Sequence, residues 1–503
     1  MVDSDFDNDA PRIGILVVAY NAADTLTSTL SRIPQHFGAQ LAGILVSDDA
    51  SRDSTFQIGV DFATSHPELP LTIVRQPVNL GYGGNQKFGY RWASENRIDV
   101  VVLLHGDGQY APELLPEMVE PITNGRADAV FGSRMMTRGT ALRGGMPLYK
   151  YVGNRILTRL ENTLVGVDLT EWHSGYRAYR VETLRNLPFE SNSDGFDFDT
   201  QIIVELFEFG ARVKEIPIPT YYGDEISHVN GMRYAFDIIK YVLTYRLHRI
   251  GFGSGELAFA SSDYEEKHDE HSSHAEVLAM IDRSSANVLD LGCGPGYLAE
   301  RLRANGHRVV GVDAFEHPDV RSRTDGFVCA DLSRGLPAGL GEFDVVLAAD
   351  ILEHLPEPEQ TLLGLHPHLT DDGEVITSFP NFSHWYPRLR SLSGRFDYDR
   401  RGILDRGHLR FFTIRSFTKM ANRAGYAVQA VRAVGLPLEV SGRSGGVDTT
   451  RPKPSTLSRC LGIMDRWLVR LAPSMFAYQY IVTLRPTSGS NPTTHLGTAD
   501  STP

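Results

Sequence analysis

Hydrophobic residues in this chain gather into short unbroken runs that are separated by segments of helical length. Five such runs precede residue 250, namely IGILVVAY, AGILVSDD, LTIVRQ, VVVLLHGD and AVFGSR. Runs rich in Val, Ile and Leu, spaced in this way, are typical of parallel strands covered by helices on both faces. The pattern therefore predicts an α/β domain with a doubly wound, parallel sheet.

The same alternation begins again after a segment of different composition. Residues 251–275 are rich in Gly, Ser and charge, which predicts a linker. Apolar runs then return in NVLDLGCGPG, RVVGVDAF, GFVCADL, FDVVLAADILEHL and GEVITSFPN, with FAYQYIVTLRP as the last predicted strand. We therefore expect two doubly wound α/β domains, at residues 12–250 and 276–486, with a disordered lead at 1–11 and a disordered tail at 487–503.

Composition narrows the class of protein. The chain has 503 residues, more than a single hydrophobic core usually serves, and a net charge of −13, which argues against nucleic acid as a partner. Its 3 cysteines are far apart and its N-terminus is acidic, so we expect a cytoplasmic protein without a signal peptide. No apolar run reaches the roughly 18 residues that span a bilayer, so any membrane contact would be peripheral, at the inner face.

A glycine-rich turn opens the second predicted domain. The strand ending at Asp290 runs into Gly292, Gly294 and Gly296, and a helix follows. Glycines let the backbone turn sharply and approach a ligand at the carboxyl end of a strand. The next strand ends in Asp313, where a carboxylate can accept hydrogen bonds from two ribose hydroxyls.

The segment from Glu276 to Pro486 resembles the class I S-adenosylmethionine-dependent methyltransferases. The resemblance rests on the glycine-rich turn, on the acid that ends the next strand, and on the later strands ending CADL and ADILEHL. The resemblance implies that Asp290 and the glycines border the methionine end of S-adenosyl-L-methionine. It also implies that Asp313 holds the ribose and that Asp331 faces the adenine amine. The implied activity is methylation of a hydroxyl, on a sugar.

Methyl transfer to a hydroxyl needs a group that takes up the proton, and histidine is the usual candidate near neutral pH. His354, His384 and His408 all lie in loops or at strand ends of the predicted domain. We rank His384 and His408 first as catalytic candidates. For any single histidine of this kind, a structural role is the commoner one.

Polar turns follow the strands of the first predicted domain as well. Asp48 and Asp49 end the second strand, and the segment NLGYGGNQKFG is a glycine-rich bend that opens a helix. Carboxylates at such strand ends can hydrogen-bond uracil, guanine or ribose. The fourth strand ends in HGDGQY, residues 105–110.

In this order and spacing the motifs resemble the family 2 glycosyltransferases of GT-A fold, over residues 11–246, and among them the polyprenyl-phosphate sugar synthases. The resemblance implies a nucleotide sugar, UDP- or GDP-linked, as donor. The residues it assigns to that donor are Ala19, Tyr20 and Asn21 after the first strand, Asp48 and Asp49 at the nucleoside, and Asp107 and Gln109 at the metal and diphosphate. Arg134 and Arg177 can make bidentate contacts to phosphate, which suits either a lipid-phosphate acceptor or the departing diphosphate.

The HGDGQY segment departs from the Asp-x-Asp of many sugar-nucleotide enzymes, because His105 replaces the first carboxylate. Asp107 and Gln109 still offer two oxygens to Mg²⁺ or Mn²⁺. A neutral His105 can add a nitrogen ligand, which Mn²⁺ tolerates better than Mg²⁺, or it can bond a phosphate oxygen instead. An alternative function is that the domain is a non-catalytic nucleotide- or glycan-binding module beside the methyltransferase.

The acceptor of the sugar is left open between a polyprenyl phosphate and a glycan. A phosphate is already an anion at neutral pH, whereas a sugar hydroxyl needs a base, for which Asp197 or Asp199 is the candidate. Residues 233–250 form a basic amphipathic segment that can lie on an anionic membrane or dock on its own domain. The whole chain is interpreted as a bifunctional enzyme of polysaccharide biosynthesis.

Overall fold

The computed structural model describes residues 10–38, 40–221, 231–249, 251–253, 273–399, 402–436 and 456–487. Within these residues the chain divides into two compact units, the first ending at Arg246 and the second starting at Leu247. The finer limits predicted for domains and linker remain predictions. Most of the lead, most of the linker and nearly all of the tail lie outside the described residues.

The first unit contains a seven-stranded sheet in the order β3-β2-β1-β4-β6-β5-β7. All neighbouring strands are parallel except β6, which runs antiparallel to β4 and β5. The strands are β1 (Ile13–Ala19), β2 (Leu41–Asp48), β3 (Leu71–Arg75), β4 (Val100–His105), β5 (Ala129–Ser133), β6 (Arg177–Arg180) and β7 (Val213–Pro217).

Helices cover both faces of this sheet. They are α1 (Leu26–Ser31), α2 (Gln35–Gly38), α3 (Thr55–Ser65), α4 (Gly81–Glu95), α5 (Leu115–Thr123), α6 (Thr140–Arg143), α7 (Leu148–Val165), α8 (Val181–Arg185), α9 (Phe198–Phe209) and α10 (Gly231–Arg249). All seven residues of β1 are buried. Ile15 and Val17 pack in one core cluster and Leu16 and Val18 in another, because alternate side chains point to opposite faces.

The second unit contains a seven-stranded sheet in the order β10-β9-β8-β11-β12-β14-β13. Only β14 is reversed, and it runs antiparallel to β12 and β13. The strands are β8 (Asn287–Leu291), β9 (Arg308–Asp313), β10 (Gly326–Cys329), β11 (Phe343–Ala349), β12 (Leu369–Pro380), β13 (Tyr426–Val434) and β14 (Gln479–Pro486).

Apolar side chains from most helices of the second unit share core clusters with the strands of its sheet. The helices are α11 (Ser273–Ala279), α12 (Tyr297–Ala304), α13 (Val320–Arg323), α14 (Pro358–Leu365), α15 (Trp385–Leu392), α16 (Ile414–Arg423), α17 (Thr456–Leu471) and α18 (Pro473–Phe476). No helix in the described ranges is long and apolar enough to cross a membrane.

The prediction of two doubly wound α/β units is confirmed, but the parallel sheet predicted for the first unit is mixed. Each sheet is mixed, with one reversed strand. In the first unit this strand is β6, whose four residues RAYR show no apolar run because two of them are arginines. In the second unit the reversed strand is β14, which lies in the sheet between β12 and β13, two strands that precede it in the chain.

Both sheets have a topological switch point between their third and fourth strands. Strand order changes direction between β1 and β4 in the first unit and between β8 and β11 in the second. In doubly wound sheets, ligands bind at the carboxyl ends of the strands at such a switch point. The loops after β1, β2 and β4, and those after β8, β9 and β11, therefore frame the candidate sites.

Candidate active sites

The loops after β1 and β2 are joined by direct hydrogen bonds. The Asn21 backbone amide donates to Oγ of Ser51 at 2.8 Å, and the Asn21 Oδ1 atom accepts from the Arg52 amide at 2.9 Å. The Asp49 amide donates to the carbonyl of Ala19, a buried residue, at 2.9 Å. Tyr20 beside it is 37% exposed, so this part of the predicted donor site faces solvent.

Asp48 and Asp49 are both buried, with different surroundings. Asp48 accepts from the Ser51 amide at 3.2 Å through Oδ1, and its Oδ2 lies 3.6 Å from Nε of Arg75. Asp49 accepts from the amides of Leu80 and Gly81, at 2.7 and 3.1 Å, where α4 begins. Burial outweighs these two hydrogen bonds and raises the pKa of Asp49. A nucleoside contact by either carboxylate stays a prediction.

The HGDGQY loop brings two of the predicted metal ligands, His105 and Asp107, together after β4. The His105 Nδ1 atom lies 3.9 Å from Oδ2 of Asp107, and the Asp107 side chain is 43% exposed. The other carboxylate oxygen of Asp107 accepts from the Gln109 amide at 3.0 Å, which fixes the turn. One carboxylate oxygen and one imidazole nitrogen thus face each other at the sheet edge.

Tyr82 on α4 determines the tautomer of His105. The Tyr82 hydroxyl donates its single proton to Oδ2 of Asp199 at 3.0 Å. The contact of 3.2 Å between the same hydroxyl and His105 Nε2 therefore requires Nε2–H to be the donor. Burial lowers the pKa of His105 and keeps the ring neutral, so Nδ1 presents a lone pair toward Asp107.

Gly175 lies against the ring of His105. A Cβ atom at this position would be 2.6 Å from Cε1 and Nε2 of His105 and 2.7 Å from the Tyr82 hydroxyl. The Gly175 amide donates to the hydroxyl of Tyr110 at 2.7 Å, and the Tyr110 ring meets His105 edge to face. Only a residue without a side chain lets the imidazole occupy this place.

The two predicted phosphate-binding arginines are buried in hydrogen bonds to the protein. Arg177 donates to the carbonyls of Ser174, Trp172 and Asp199 at 2.9, 2.9 and 3.1 Å. The negative charge of Asp199 raises the pKa of Arg177 despite its burial. Arg134 pairs with the buried carboxylate of Glu171. Contact of these arginines with phosphate stays a prediction.

The two predicted carboxylate bases have separate roles in the fold. Asp199 accepts from Tyr82 and from Nε2 of Gln86, the latter at 3.2 Å, so it belongs to the cluster behind His105. Asp197 accepts from Oγ of Ser193 at 2.7 Å and from Nε2 of Gln201 at 3.0 Å, at the start of α9. Sequence reasoning assigned no role to Tyr82, which lies in the quoted segment NLGYGGNQKFG, or to Gly175, which lies two residues before Arg177.

The glycine turn of the second unit has the predicted backbone form. Gly292, Gly294 and Gly296 all have positive φ, at 72°, 52° and 81°. A Cβ at Gly292 would lie 2.8 Å from Ile351, whereas one at Gly294 would meet nothing within 4 Å. The Gly294 amide donates to Oδ2 of Asp313 at 2.8 Å. The turn is therefore packed against Ile351 at Gly292 and has open space at Gly294, where a ligand can approach the backbone.

Asp290 and Asp313 lie close together behind this turn. Asp290 is 2% exposed, and its Oδ2 has no hydrogen-bond partner among the described residues. Burial and the charge of Asp313 raise the pKa of Asp290 to about 7. Asp331 is exposed instead and accepts from the amide and hydroxyl of Ser333, at 3.0 and 2.6 Å. These bonds lower its pKa, and its contact with adenine stays a prediction.

The three histidines fall into two environments. His384 is fully buried at the start of α15, where its Nδ1 accepts from the Tyr386 amide at 3.3 Å, and burial lowers its pKa to about 4. The ring of His408 instead lies 4.8 Å from that of His354. The structure therefore pairs His408 with the histidine that was ranked last.

Comparison with known proteins assigns both units. A model described as "Glycosyl transferase family 2" matches residues 14–187, and one described as "Methyltransferase domain" matches residues 266–431. The undecaprenyl-phosphate mannosyltransferase of Micrococcus luteus is 30% identical over 208 residues, covering 41% of this chain and 82% of that protein. The chain belongs to glycosyl transferase family 2. Its second unit is a methyltransferase domain, so both predicted enzyme classes are confirmed.

Two solved structures share only limited overall similarity with the chain. One is 1,6-didemethyltoxoflavin-N1-methyltransferase of Burkholderia thailandensis with S-adenosylhomocysteine (22% identity, TM-score 0.27, covering 42% of this chain and 76% of that one). The other is glucosyl-3-phosphoglycerate synthase of Mycobacterium tuberculosis with Mn²⁺ and UDP (18% identity, TM-score 0.36, covering 47% and 78%).

Proposed function

We propose that the glycosyltransferase domain transfers a sugar from a UDP- or GDP-sugar to a polyprenyl phosphate, and that the methyltransferase domain methylates a sugar hydroxyl with S-adenosyl-L-methionine. The observation that carries the first activity is the pairing of His105 Nδ1 with Asp107 Oδ2 at the end of β4, 3.9 Å apart. It supports a divalent cation bound where family 2 enzymes bind the donor diphosphate.

The residues that would hold this cation are Asp107, His105 and Gln109. A mixed oxygen and nitrogen donor set favours Mn²⁺ over Mg²⁺. When bound, the cation neutralises the charge that develops on the departing diphosphate. The exposed Asp107 side chain can turn toward His105, whose ring is held by Tyr82 and Gly175.

The polyprenyl phosphate acceptor is supported by the relative from Micrococcus luteus and by the exposed faces of two helices. On α10, Val242 and Tyr245 belong to a core cluster of the first unit, and Ile238 is buried as well. These residues form one face of the amphipathic helix. Its other side leaves Phe236 and Leu243 exposed, at 66% and 44%. Ile250, part of the predicted amphipathic segment, lies outside the described residues.

Helix α7 adds a second exposed apolar row. Leu148, Val152 and Ile156 recur every four residues and are 66%, 45% and 62% exposed. Arg155 and Arg159 are exposed on the same helix. Apolar residues flanked by basic ones suit a membrane surface with anionic lipids, where a polyprenyl carrier lies. A soluble glycan remains the second acceptor to be tested.

The methyl donor fits the cradle after β8. Gly294 leaves open space, Asp313 holds the turn through the Gly294 amide, and the buried Oδ2 of Asp290 faces no donor of the described chain. S-adenosyl-L-methionine supplies a methyl group on a sulfonium. The domain would orient an acceptor hydroxyl in line with it and remove the hydroxyl proton.

The deciding experiment is a panel of UDP- and GDP-sugars incubated with the full chain, Mn²⁺ and undecaprenyl phosphate or oligosaccharides, with products read by mass spectrometry. We expect a sugar-linked polyprenyl phosphate, and a mass increase of one methyl group when S-adenosyl-L-methionine is added. Nucleotide binding without any transfer would instead show that the first domain is a binding module.

A further inference from the structure

A second ligand cluster lies beside the methyl-donor turn. The loop after β11 contains Glu353 and His354, and the segment before α16 contains His408. The amides of Leu409 and Arg410 donate to the Glu353 carbonyl at 2.8 and 3.0 Å and tie the two segments together. This brings residues that are more than 50 positions apart into one cluster.

The cluster offers three metal-binding side chains at short range. One ligand atom from each of Glu353, His354 and His408 lies within 4.8 Å of the others. Glu353 is 1% exposed and His408 is 7% exposed, so these two donors lie below the surface. Two imidazoles and one carboxylate form the donor set that proteins use for divalent transition metals with open coordination positions.

Backbone carbonyls fix the tautomers of both rings. The His354 Nδ1 atom lies 3.0 Å from the Gly407 carbonyl, and the His408 Nδ1 atom lies 3.3 Å from the Ile403 carbonyl. Because a carbonyl only accepts, each Nδ1 must carry the proton, and each neutral ring leaves Nε2 as a lone-pair donor. Metal-ligating histidines are held in this way by a bond from the other ring nitrogen.

The geometry points to a divalent transition-metal site formed by Glu353, His354 and His408 in the methyltransferase domain. The cluster lies two residues beyond Ile351, whose side chain packs against Gly292 of the methyl-donor turn. An ion here has positions left for an oxygen of the acceptor. The binding of the acceptor by this ion rests on the proposed methyl transfer, whereas the metal site itself does not.

The chemistry that such an ion supplies is a lower pKa of the bound acceptor hydroxyl. The hydroxyl proton passes to water, and a lone pair of the oxygen forms the new bond to the methyl carbon. The carbon–sulfur bond breaks with its electron pair on sulfur, which leaves S-adenosylhomocysteine. This assigns His354 and His408 to acceptor binding, not to direct proton removal.

The test uses full-length chain carrying Asp107→Ala, so that the first domain cannot contribute that metal ligand. After treatment with a chelator, the protein is titrated with Co²⁺, followed by visible absorption and calorimetry, and then with Mn²⁺ and Zn²⁺. We expect a single equivalent of Co²⁺ with ligand-field bands. His408→Gln and His354→Ala should each weaken binding by more than about 100-fold.

His368→Ala is the matched control, because His368 also bonds a carbonyl through Nδ1, that of Gly341 at 3.1 Å, but is not part of the cluster. Its Co²⁺ binding should equal that of the Asp107→Ala parent, and thermal unfolding by circular dichroism checks that each variant is folded. Absence of Co²⁺ binding by the parent, or unchanged binding by folded His408→Gln, overturns the site. Metal binding without methylation of any sugar leaves the site standing and refutes the proposed activity.

Discussion

The hydroxyl of Tyr82 donates to Asp199 at 3.0 Å, and this one hydrogen bond makes Nε2 the protonated nitrogen of His105, so that Nδ1 presents a lone pair toward Asp107. The two partners are 117 positions apart in the sequence. The bond joins α4 to α9 behind the loop after β4 and orients the imidazole that we propose as a metal ligand.

Tyr82→Phe removes this constraint while it keeps the ring. We expect the Mn²⁺ concentration for half-maximal sugar transfer to rise by about 10-fold, because outer hydrogen bonds orient metal ligands. Electron paramagnetic resonance of bound Mn²⁺ measures the same loss without turnover. An unchanged Mn²⁺ affinity would refute the role of Tyr82 in orienting His105.

Asp107→Ala should abolish sugar transfer, since it removes the carboxylate that faces His105. His105→Asp should preserve transfer and shift the preference from Mn²⁺ toward Mg²⁺, because oxygen replaces nitrogen in the donor set. The measurement is the rate of transfer at matched concentrations of the two ions. Normal transfer by Asp107→Ala would show that the metal-site interpretation is wrong.

Gly175→Ala places a methyl group 2.6 Å from the His105 ring. We expect a loss of stability of about 1–3 kcal/mol together with loss of transfer, because the imidazole must move. Gly153→Ala on α7 is the matched control, since its Cβ meets nothing within 4 Å. Urea unfolding of both variants makes the comparison, and equal behaviour would contradict the close packing.

Glu205→Gln tests a buried carboxyl of α9. Burial raises the pKa of Glu205 from 4.5 to about 8. Between these values the folded chain holds a proton that the unfolded chain has lost, so stability falls as pH rises through this window. A neutral glutamine removes this loss, which amounts to at most roughly 5 kcal/mol.

Urea unfolding at about pH 4 and about pH 8.5, each roughly half a unit beyond that window, measures the effect. Glu205→Gln should be more stable than the natural chain at the higher pH and should show a flatter profile. The control is Glu95→Gln, at an exposed glutamate, which should leave the profile unchanged. A natural chain whose stability does not fall over this range contradicts the assignment.

The fold could be predicted from the sequence where local pattern decides the structure. The apolar runs of β1, β2 and β4 are buried on both faces, and their polar ends then meet at one sheet edge. The three glycines after β8 likewise have the left-handed backbone that their spacing indicated.

The remaining features depend on contacts between distant segments. Strand β6 is short and charged, and it forms because pairing with β4 and β5 satisfies its backbone groups. The motif around Arg177 predicts a phosphate ligand, yet its guanidinium donates hydrogen bonds to three backbone carbonyls. His354 and His408 meet because a segment more than 50 residues later in the chain folds back against the loop after β11. Sequence periodicity does not predict such a contact.

The packing of Phe252 determines how the two activities can be separated. Its ring lies 4.4 Å from that of Tyr386 and 5.9 Å from His384, and the next amide, of Gly253, donates to the Tyr386 hydroxyl at 2.8 Å. A methyltransferase chain that starts at residue 276 lacks these groups and exposes the histidine that they cover. Dissection of the protein should therefore cut before Gly251.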